Sequence, residues 1–440
     1  MTRKPRHIII LIHGIGGNKT HFGHMVAALR RVLQKEDPAY RYVIHNLEYE
    51  TGHDEKMVTD FAVDLAVRIN RIQERGLDGG DKISLIMHSQ GGLVGAVWMF
   101  QSLKGNPDYS PPEVIEQLDS FITLGTPFWG AKIAVWGAEM KALTRQLGIN
   151  IPVPFGKNQL DQMSFGSDMI FDFRQALIDS EHRHHIEYLR ERVRFLNVVG
   201  VADVLNPLGV FVSGVNQYED DGAVPLACAR FNFLFQQSIK EDYPEGERIP
   251  LGAAGAIDMA PYVVANALHF TPVPEMTNFP GIAQIPQGCV RDERYPHPTF
   301  GYVWEHLLGR CVRQRDRNLG DYKTFLLDIN VRLAPGDVSS RQKVQIDLRL
   351  PDGNFVEGSN IEILNPMELY AHGVRQSQRC PEQWRFYFTG NIKRRLDNRP
   401  EALLVKVQCP GYRSRMVEAE VRPAFSSFVD VNLVPAGGRR

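Results

Sequence analysis

The segment Asp81-Lys82-Ile83-Ser84-Leu85-Ile86-Met87-His88-Ser89-Gln90-Gly91-Gly92 decides how the rest of the chain is read. Lys82 to Met87 is an apolar run suited to a buried strand, and Gly91 to Leu103 has the composition of a helix. Between them stand a serine and two glycines. A strand that turns sharply into a helix at a serine is the context of a nucleophile elbow. The bend lifts the hydroxyl out of the sheet, and small flanking residues let strand and helix approach. The helix N-terminus offers N–H groups to developing negative charge. The usual spacing is G-x-S-x-G, and Met87 stands where the first glycine would be.

Upstream, His7 to Ile12 is a second apolar run, followed at once by His13-Gly14-Ile15-Gly16-Gly17. A glycine-rich turn after a strand can cradle phosphate, but neither G-x-G-x-x-G nor G-x-x-x-x-G-K-[ST] is matched, which disfavours a nucleotide site. The same turn can aim a backbone N–H at Ser89. Arg41 to Tyr49, Phe121 to Leu124 and Arg194 to Val201 read as further strands, and Asp54 to Arg75 has helical periodicity. This alternation predicts a mostly parallel sheet with helices on both faces. Between 131 and 190 the pattern changes: Ala131 to Leu147 reads as an amphipathic helix, and a cap or lid is expected there. Beyond a polar stretch at Arg310 to Asp321 the texture becomes all-β. Phe325 to Leu333 and Lys343 to Leu350 alternate at period two, and Pro351-Asp352-Gly353-Asn354 is a turn signal. The expected division is residues 1–313, with the cap at about 131–190, and a β-sandwich over 322–440.

Composition narrows the partners. The chain has 440 residues, 50 Lys+Arg against 51 Asp+Glu, and 43% hydrophobic residues. That much apolar side chain excludes a disordered chain, and the near-neutral balance argues against nucleic acid, which demands a basic surface. The five cysteines, 228, 289, 311, 380 and 409, are scattered without a CxxC pair, so neither a zinc site nor a disulfide framework is expected. His182, His184 and His185 read as an exposed helix face rather than a metal site. Met1 to Ile12 mimics a signal peptide, but the apolar run is short and no small-residue cleavage site follows. With no segment suited to span a bilayer, the expected location is cytoplasmic, with signal-less export as the alternative.

His13 to Gly17, Met87 to Gly92 and Leu124-Gly125-Thr126-Pro127-Phe128-Trp129-Gly130 together resemble the α/β-hydrolase superfamily, and within it the lipase and serine-esterase group. Met163-Ser164-Phe165-Gly166-Ser167-Asp168, followed by a helix, is also similar to lipase sequences. The resemblance runs over about residues 7–310 and leaves out the β-rich tail. It implies a parallel sheet, ester hydrolysis and no cofactor.

It also implies a triad in the order Ser, acid, His. Ser89 is the nucleophile, with the N–H groups of Ile15 and Gln90 as oxyanion donors. Two acids fit. Asp221 lies in Asp221-Gly222-Ala223-Val224-Pro225, similar to the lipase D-G-x-V-P segment, and is preferred to Asp203, which follows an apolar strand. Two bases fit. His297 precedes the apolar run Phe300 to Leu308, where the superfamily places its histidine, and is preferred to His269. Phe128 and Trp129 are candidates for lining the substrate pocket. The function implied is a serine hydrolase of carboxylic esters, lipids among them, acting through an acyl-enzyme. The alternatives are a non-catalytic scaffold of the same fold, a protein recruited to a membrane surface or protein partner through its β-rich tail, or an amidase or acyltransferase using the same residues.

Overall fold

The computed structural model describes residues 3–53, 55–131, 156–164, 167–202, 219–238, 244, 248–249, 255–271, 274–275, 278, 280–312, 322, 325–333, 344–349, 361–365, 368–370, 383–388 and 401–436. Within them, a first sheet is formed by β1 (Arg6–Ile12), β2 (Arg41–Leu47), β3 (Lys82–His88), β4 (Leu118–Leu124), β5 (Arg194–Gly200) and β9 (Tyr262–Ala265). All six run parallel, in the order β2-β1-β3-β4-β5-β9.

The sequence of β1 explains its place. The β-branched isoleucines pack well on a pleated surface, and successive side chains point to opposite faces. Ile8, Ile10 and Ile12 enter one core, and Ile9 and Leu11 the other. The first core is closed by α2 (Val58–Glu74) and α3 (Gln90–Leu103), through Phe61, Leu65, Ile69 and Trp98. The second is closed by α1 (Met25–Glu36) and the helix at Phe300–Leu307, through Leu29, Leu33, Phe300 and Val303. A parallel sheet covered on both faces is what near-continuous apolar strands require, and this is the α/β-hydrolase architecture. Of the cap region, residues 132–155, including most of the amphipathic stretch from Ala131 to Leu147, lie outside the described residues. The remainder forms α4 (Lys157–Met163), α5 (Asp168–Ile178) and α6 (Arg183–Arg192).

The tail forms two further sheets. Its strands are β10 (Phe325–Leu333), β11 (Gln345–Arg349), β12 (Ile361–Asn365), β13 (Glu368–Tyr370), β14 (Gln383–Phe388), β15 (Glu401–Gln408), β16 (Arg415–Val421) and β17 (Ser426–Leu433). The mixed sheet has the order β13-β12-β14-β10-β17-β6-β8, the smaller one β11-β15-β16-β7. Here β6 (Phe233–Ser238), β7 (Arg248–Ile249) and β8 (Gly255–Ile257) come from the chain before the tail. β6 pairs in parallel with β17 from Phe233 opposite Ser426 to Ser238 opposite Val431.

Period-two patterning settles what each face of β10 meets. Phe325, Leu327, Ile329 and Val331 fill the core between the two tail sheets, with Val405, Val417 and Val429. On the opposite face, Leu326 joins the same core as α2 and α3, and Asp328 meets Arg174 of α5 in a buried ion pair. The Arg174 guanidinium also donates to Ser426 Oγ at 2.8 Å and lies 4.1 Å from the Trp129 ring centre. Removing one partner of a buried ion pair typically costs about 3–5 kcal/mol, whereas replacing both by apolar groups is far milder. Asp328→Ala is therefore expected to lower the urea midpoint of the full chain substantially, and Arg174→Met with Asp328→Leu to recover most of the loss. A single variant as stable as wild type would show that the pair does not tie α5 to the tail.

Candidate active site

Ser89 sits between β3 and α3 with φ 52° and ψ −125°. This is a backbone conformation that side-chain-bearing residues rarely adopt, costing on the order of 1–3 kcal/mol and held only where the surroundings enforce it. Here the enforcement is local. The Ser89 N–H donates to Leu124 O at 3.0 Å at the end of β4, and Gly92 N–H closes the first turn onto Ser89 O at 3.0 Å. On the other side lies Gly14, where a Cβ would stand 2.7 Å from the Ser89 Cβ. Met87 is accommodated one helical turn onward. It is fully buried, and a Cβ on Gly95 would come within 2.1 Å of its sulfur. The close strand–helix approach that a glycine usually grants before the serine is granted here by a glycine on the helix.

The side chain that meets Ser89 is His269. Its Nε2 lies 2.9 Å from Ser89 Oγ, and its Nδ1 lies 2.8 Å from Asp221 Oδ2. A carboxylate oxygen accepts, so Nδ1 carries the proton and Nε2 presents its lone pair to the serine hydroxyl. Asp221 is 1% exposed, and its other oxygen accepts from the N–H groups of Ala223 (3.0 Å) and Val224 (2.8 Å). Those two bonds fix which oxygen faces the imidazole. Of the other residues expected here, Asp203 lies outside the described residues.

His297 is placed elsewhere, which corrects the expectation that it is the base. Its Nδ1 accepts from the N–H groups of Thr299 and Phe300, both at 3.3 Å, so it caps the closing helix. The position just before that helix, which singled it out in the sequence, is the position of a cap. The histidine that meets Ser89 instead follows the last strand of the sheet. Tyr262 to Leu268 is apolar because Tyr262–Ala265 is β9, and His269 comes four residues after its end. Counting strands rather than looking for a helix would have selected it.

Phe128 and Trp129, expected to line the pocket, are 1% and 0% exposed. They pack against Phe231, and Trp129 Nε1 donates to Arg230 O at 2.6 Å. They are core under the tail's mixed sheet. Gln90 is the first residue of α3, where an N–H has no carbonyl four residues back within the helix. Ile15 lies in the turn closed by Gly17 N–H to Gly14 O at 3.1 Å, against Ser89. His13 holds this turn from behind: Nδ1 donates to Gly14 O at 2.8 Å, and its ring stacks on Tyr49 with centres 4.3 Å apart. Burial lowers the His13 pKa, favouring the neutral ring, whose Nε2 accepts the Tyr49 N–H at 3.3 Å. Sequence reasoning passed over His88 and His21, whose rings bond Nδ1 to Nε2 at 2.7 Å beside His269.

The sheet and its covering helices have the α/β-hydrolase fold, and they bring this serine, histidine and aspartate together. Residues 2–151 match the family described as "Putative serine esterase (DUF676)". Among solved structures, phospholipase PlaB from Legionella pneumophila is similar, with TM-score 0.65 and 16% identity over 98% of this chain and 94% of that one. The same phospholipase in complex with thio-NAD gives TM-score 0.65 and 15% identity, covering 98% and 95%. At such identity the likeness is one of fold. No curated protein matches the sequence.

His297 makes the contrast between cap and base measurable. Burial first of all lowers the pKa of His297, His7 and His306 to about 4 each. The unfolded chain binds these protons near the ordinary 6.5, the folded chain only near 4. Stability is therefore full above pH 6.5 and falls as pH drops towards 4, by up to about 3 kcal/mol per histidine. His297→Asn keeps a helix-capping side chain and removes one titration. It is expected to flatten the loss of stability between pH 6.5 and 4, read from urea midpoints. An unchanged acid slope would refute this account of His297.

Proposed function

We propose that the chain is a serine hydrolase of carboxylic esters, with lipid esters as its main substrates. The observation that carries this reading is the bonded series Asp221 Oδ2, His269 Nδ1, His269 Nε2, Ser89 Oγ, at 2.8 and 2.9 Å. In the reaction Ser89 Oγ attacks the ester carbonyl while His269 Nε2 takes the hydroxyl proton. Asp221 keeps the imidazole in the required tautomer and stabilises it once it is cationic. The carbonyl oxygen, now negative, is held by the N–H groups of Ile15 and Gln90, and losing one such donor typically costs about 10²–10³ in rate. His269 passes its proton to the leaving alcohol, leaving an acyl-serine. Water then attacks the acyl carbon, His269 takes its proton, and the acid departs as Ser89 is reprotonated.

Phe270 supports an apolar acyl group. It directly follows the base and is 49% exposed, one of three exposed large apolar side chains among the described residues. An exposed aromatic ring next in the chain to His269 would suit contact with an apolar acyl group. The phospholipase of similar fold makes glycerophospholipids the first natural substrates to try.

A fluorophosphonate probe is expected to label the folded wild type at Ser89. Ser89→Ala and His269→Ala are expected to lower kcat on p-nitrophenyl butyrate by at least about 10³-fold, and Asp221→Asn by about 10²–10⁴-fold. A folded protein that neither labels nor hydrolyses any ester would leave the fold as a scaffold. Phe270→Ser is expected to reduce kcat/KM on p-nitrophenyl decanoate by about five- to tenfold, the worth of partly burying one aromatic side chain, with little change on the acetate. Equal losses on both esters would remove Phe270 from acyl-chain contact.

A further inference from the structure

We propose that His88 and His21 form a buried donor–acceptor chain that sets the position of the base, with His88 as the positioning residue. The inference rests on His269 being the base of the proposed hydrolase.

Its starting point is the backbone carbonyl of His269. His88 Nε2 lies 2.9 Å from that oxygen. A carbonyl can only accept, so His88 carries its proton on Nε2 and, when neutral, a lone pair on Nδ1. His21 Nε2 stands 2.7 Å from that lone pair and must be the donor. The chain therefore has one direction, from His21 to His88 to the base. His88 is 1% and His21 8% exposed, so neither contact competes with bulk water. Burial, reinforced by the neighbouring imidazoles, lowers both pKa values, that of His21 to about 3. Both rings are thus held in the neutral state the chain requires. Gln284 anchors the far end, donating to His21 O at 3.0 Å and accepting from Thr271 N–H at 3.2 Å, two residues beyond the base.

Every polar group of His269 is consequently tied to one of its partners in the proposed reaction or to that partner's chain neighbour. Its N–H donates to Asp221 O at 2.7 Å, and its Nδ1 donates to the Asp221 carboxylate. Its Nε2 faces Ser89 Oγ, and its C=O is held by the residue immediately before Ser89. The last bond links the strand that carries the nucleophile to the loop that carries the base. It bears on the 2.9 Å separation, where a displacement of about 1 Å can cost on the order of 100-fold in rate.

The test compares His88→Leu, His88→Gln and His21→Leu in the full chain, with Ser89→Ala alongside. The readouts are kcat and KM on p-nitrophenyl butyrate, the rate of fluorophosphonate labelling, and the thermal midpoint. His88→Leu is expected to lower kcat and the labelling rate together by about 10- to 100-fold, with KM within about twofold of wild type. His88→Gln has an amide that can donate to the His269 carbonyl, and is expected to recover most of that loss. His21→Leu, one bond further away, is expected to give a smaller loss of the same kind. A folded His88→Leu with wild-type kcat and labelling overturns the proposal, as does a His88→Gln no better than His88→Leu at equal thermal midpoint. Should His88→Leu not fold, an unchanged kcat in folded His21→Leu overturns it. Retained hydrolysis in Ser89→Ala would instead defeat the reading of the site as a serine hydrolase, so the two failures are distinct.

Discussion

The 2.9 Å contact between Ser89 Oγ and His269 Nε2 joins residues 180 positions apart, and the architecture around it follows from what that contact demands. The serine must stand clear of the sheet, which requires the strained backbone at φ 52°. The strain persists because β4 holds the Ser89 N–H on one side and the glycine turn presses from the other. Both come from strands hydrogen-bonded directly to β3. A central position in the sheet is therefore part of the chemistry. An edge strand would have a neighbour on one side only, and nothing would oppose relaxation of the turn.

How much of this was legible in the sequence depended on range. The elbow is a local event, encoded by an apolar run, a serine and two glycines within twelve residues, and it could be read directly. Asp221 was also readable, because its carboxylate caps the turn formed by the next three residues and so leaves a compact signature. His269 carries no such mark. Its partners are Ser89, Asp221 and His88, between 48 and 181 residues away, and pairings over such separations leave no trace in periodicity. His297 was the more conspicuous histidine because a local cap at a helix start does leave a trace. The substitution at Met87 looked like a departure from the motif until Gly95 was seen to supply the missing space from the other element. What the strand and helix need is one small residue at their contact, and the motif fixes that need more tightly than it fixes which element provides it.

The β-rich tail was legible as sheet, because period-two alternation is strong in β10 and its neighbours. Its attachment was not. A strand such as β6, paired in parallel with β17, looks from its own residues like any other apolar run, and only the register from Phe233–Ser426 to Ser238–Val431 reveals its partner. The buried polar groups at this junction are equally silent in sequence. The partners of Arg174, Asp328 and Ser426, come from the tail more than 150 residues later.

That junction explains why Phe128 and Trp129 are core rather than pocket. The segment Leu124–Gly130 has two neighbours to satisfy. At its start, Leu124 O receives the Ser89 N–H, and Thr126 lies so close to α3 that a Cβ on Gly92 would stand 1.9 Å from its hydroxyl. Three residues later, Trp129 lies beneath Arg174 and bonds to Arg230, and both arginines reach into the tail, Arg174 at Ser426 and Arg230 at Ala424 O. One short segment therefore packs against the elbow at one end and the sandwich at the other. Close-packed interiors transmit small displacements rather than absorb them. The tail thus serves as part of the wall against which the serine's turn is braced, and the aromatic pair in this segment belongs to that wall.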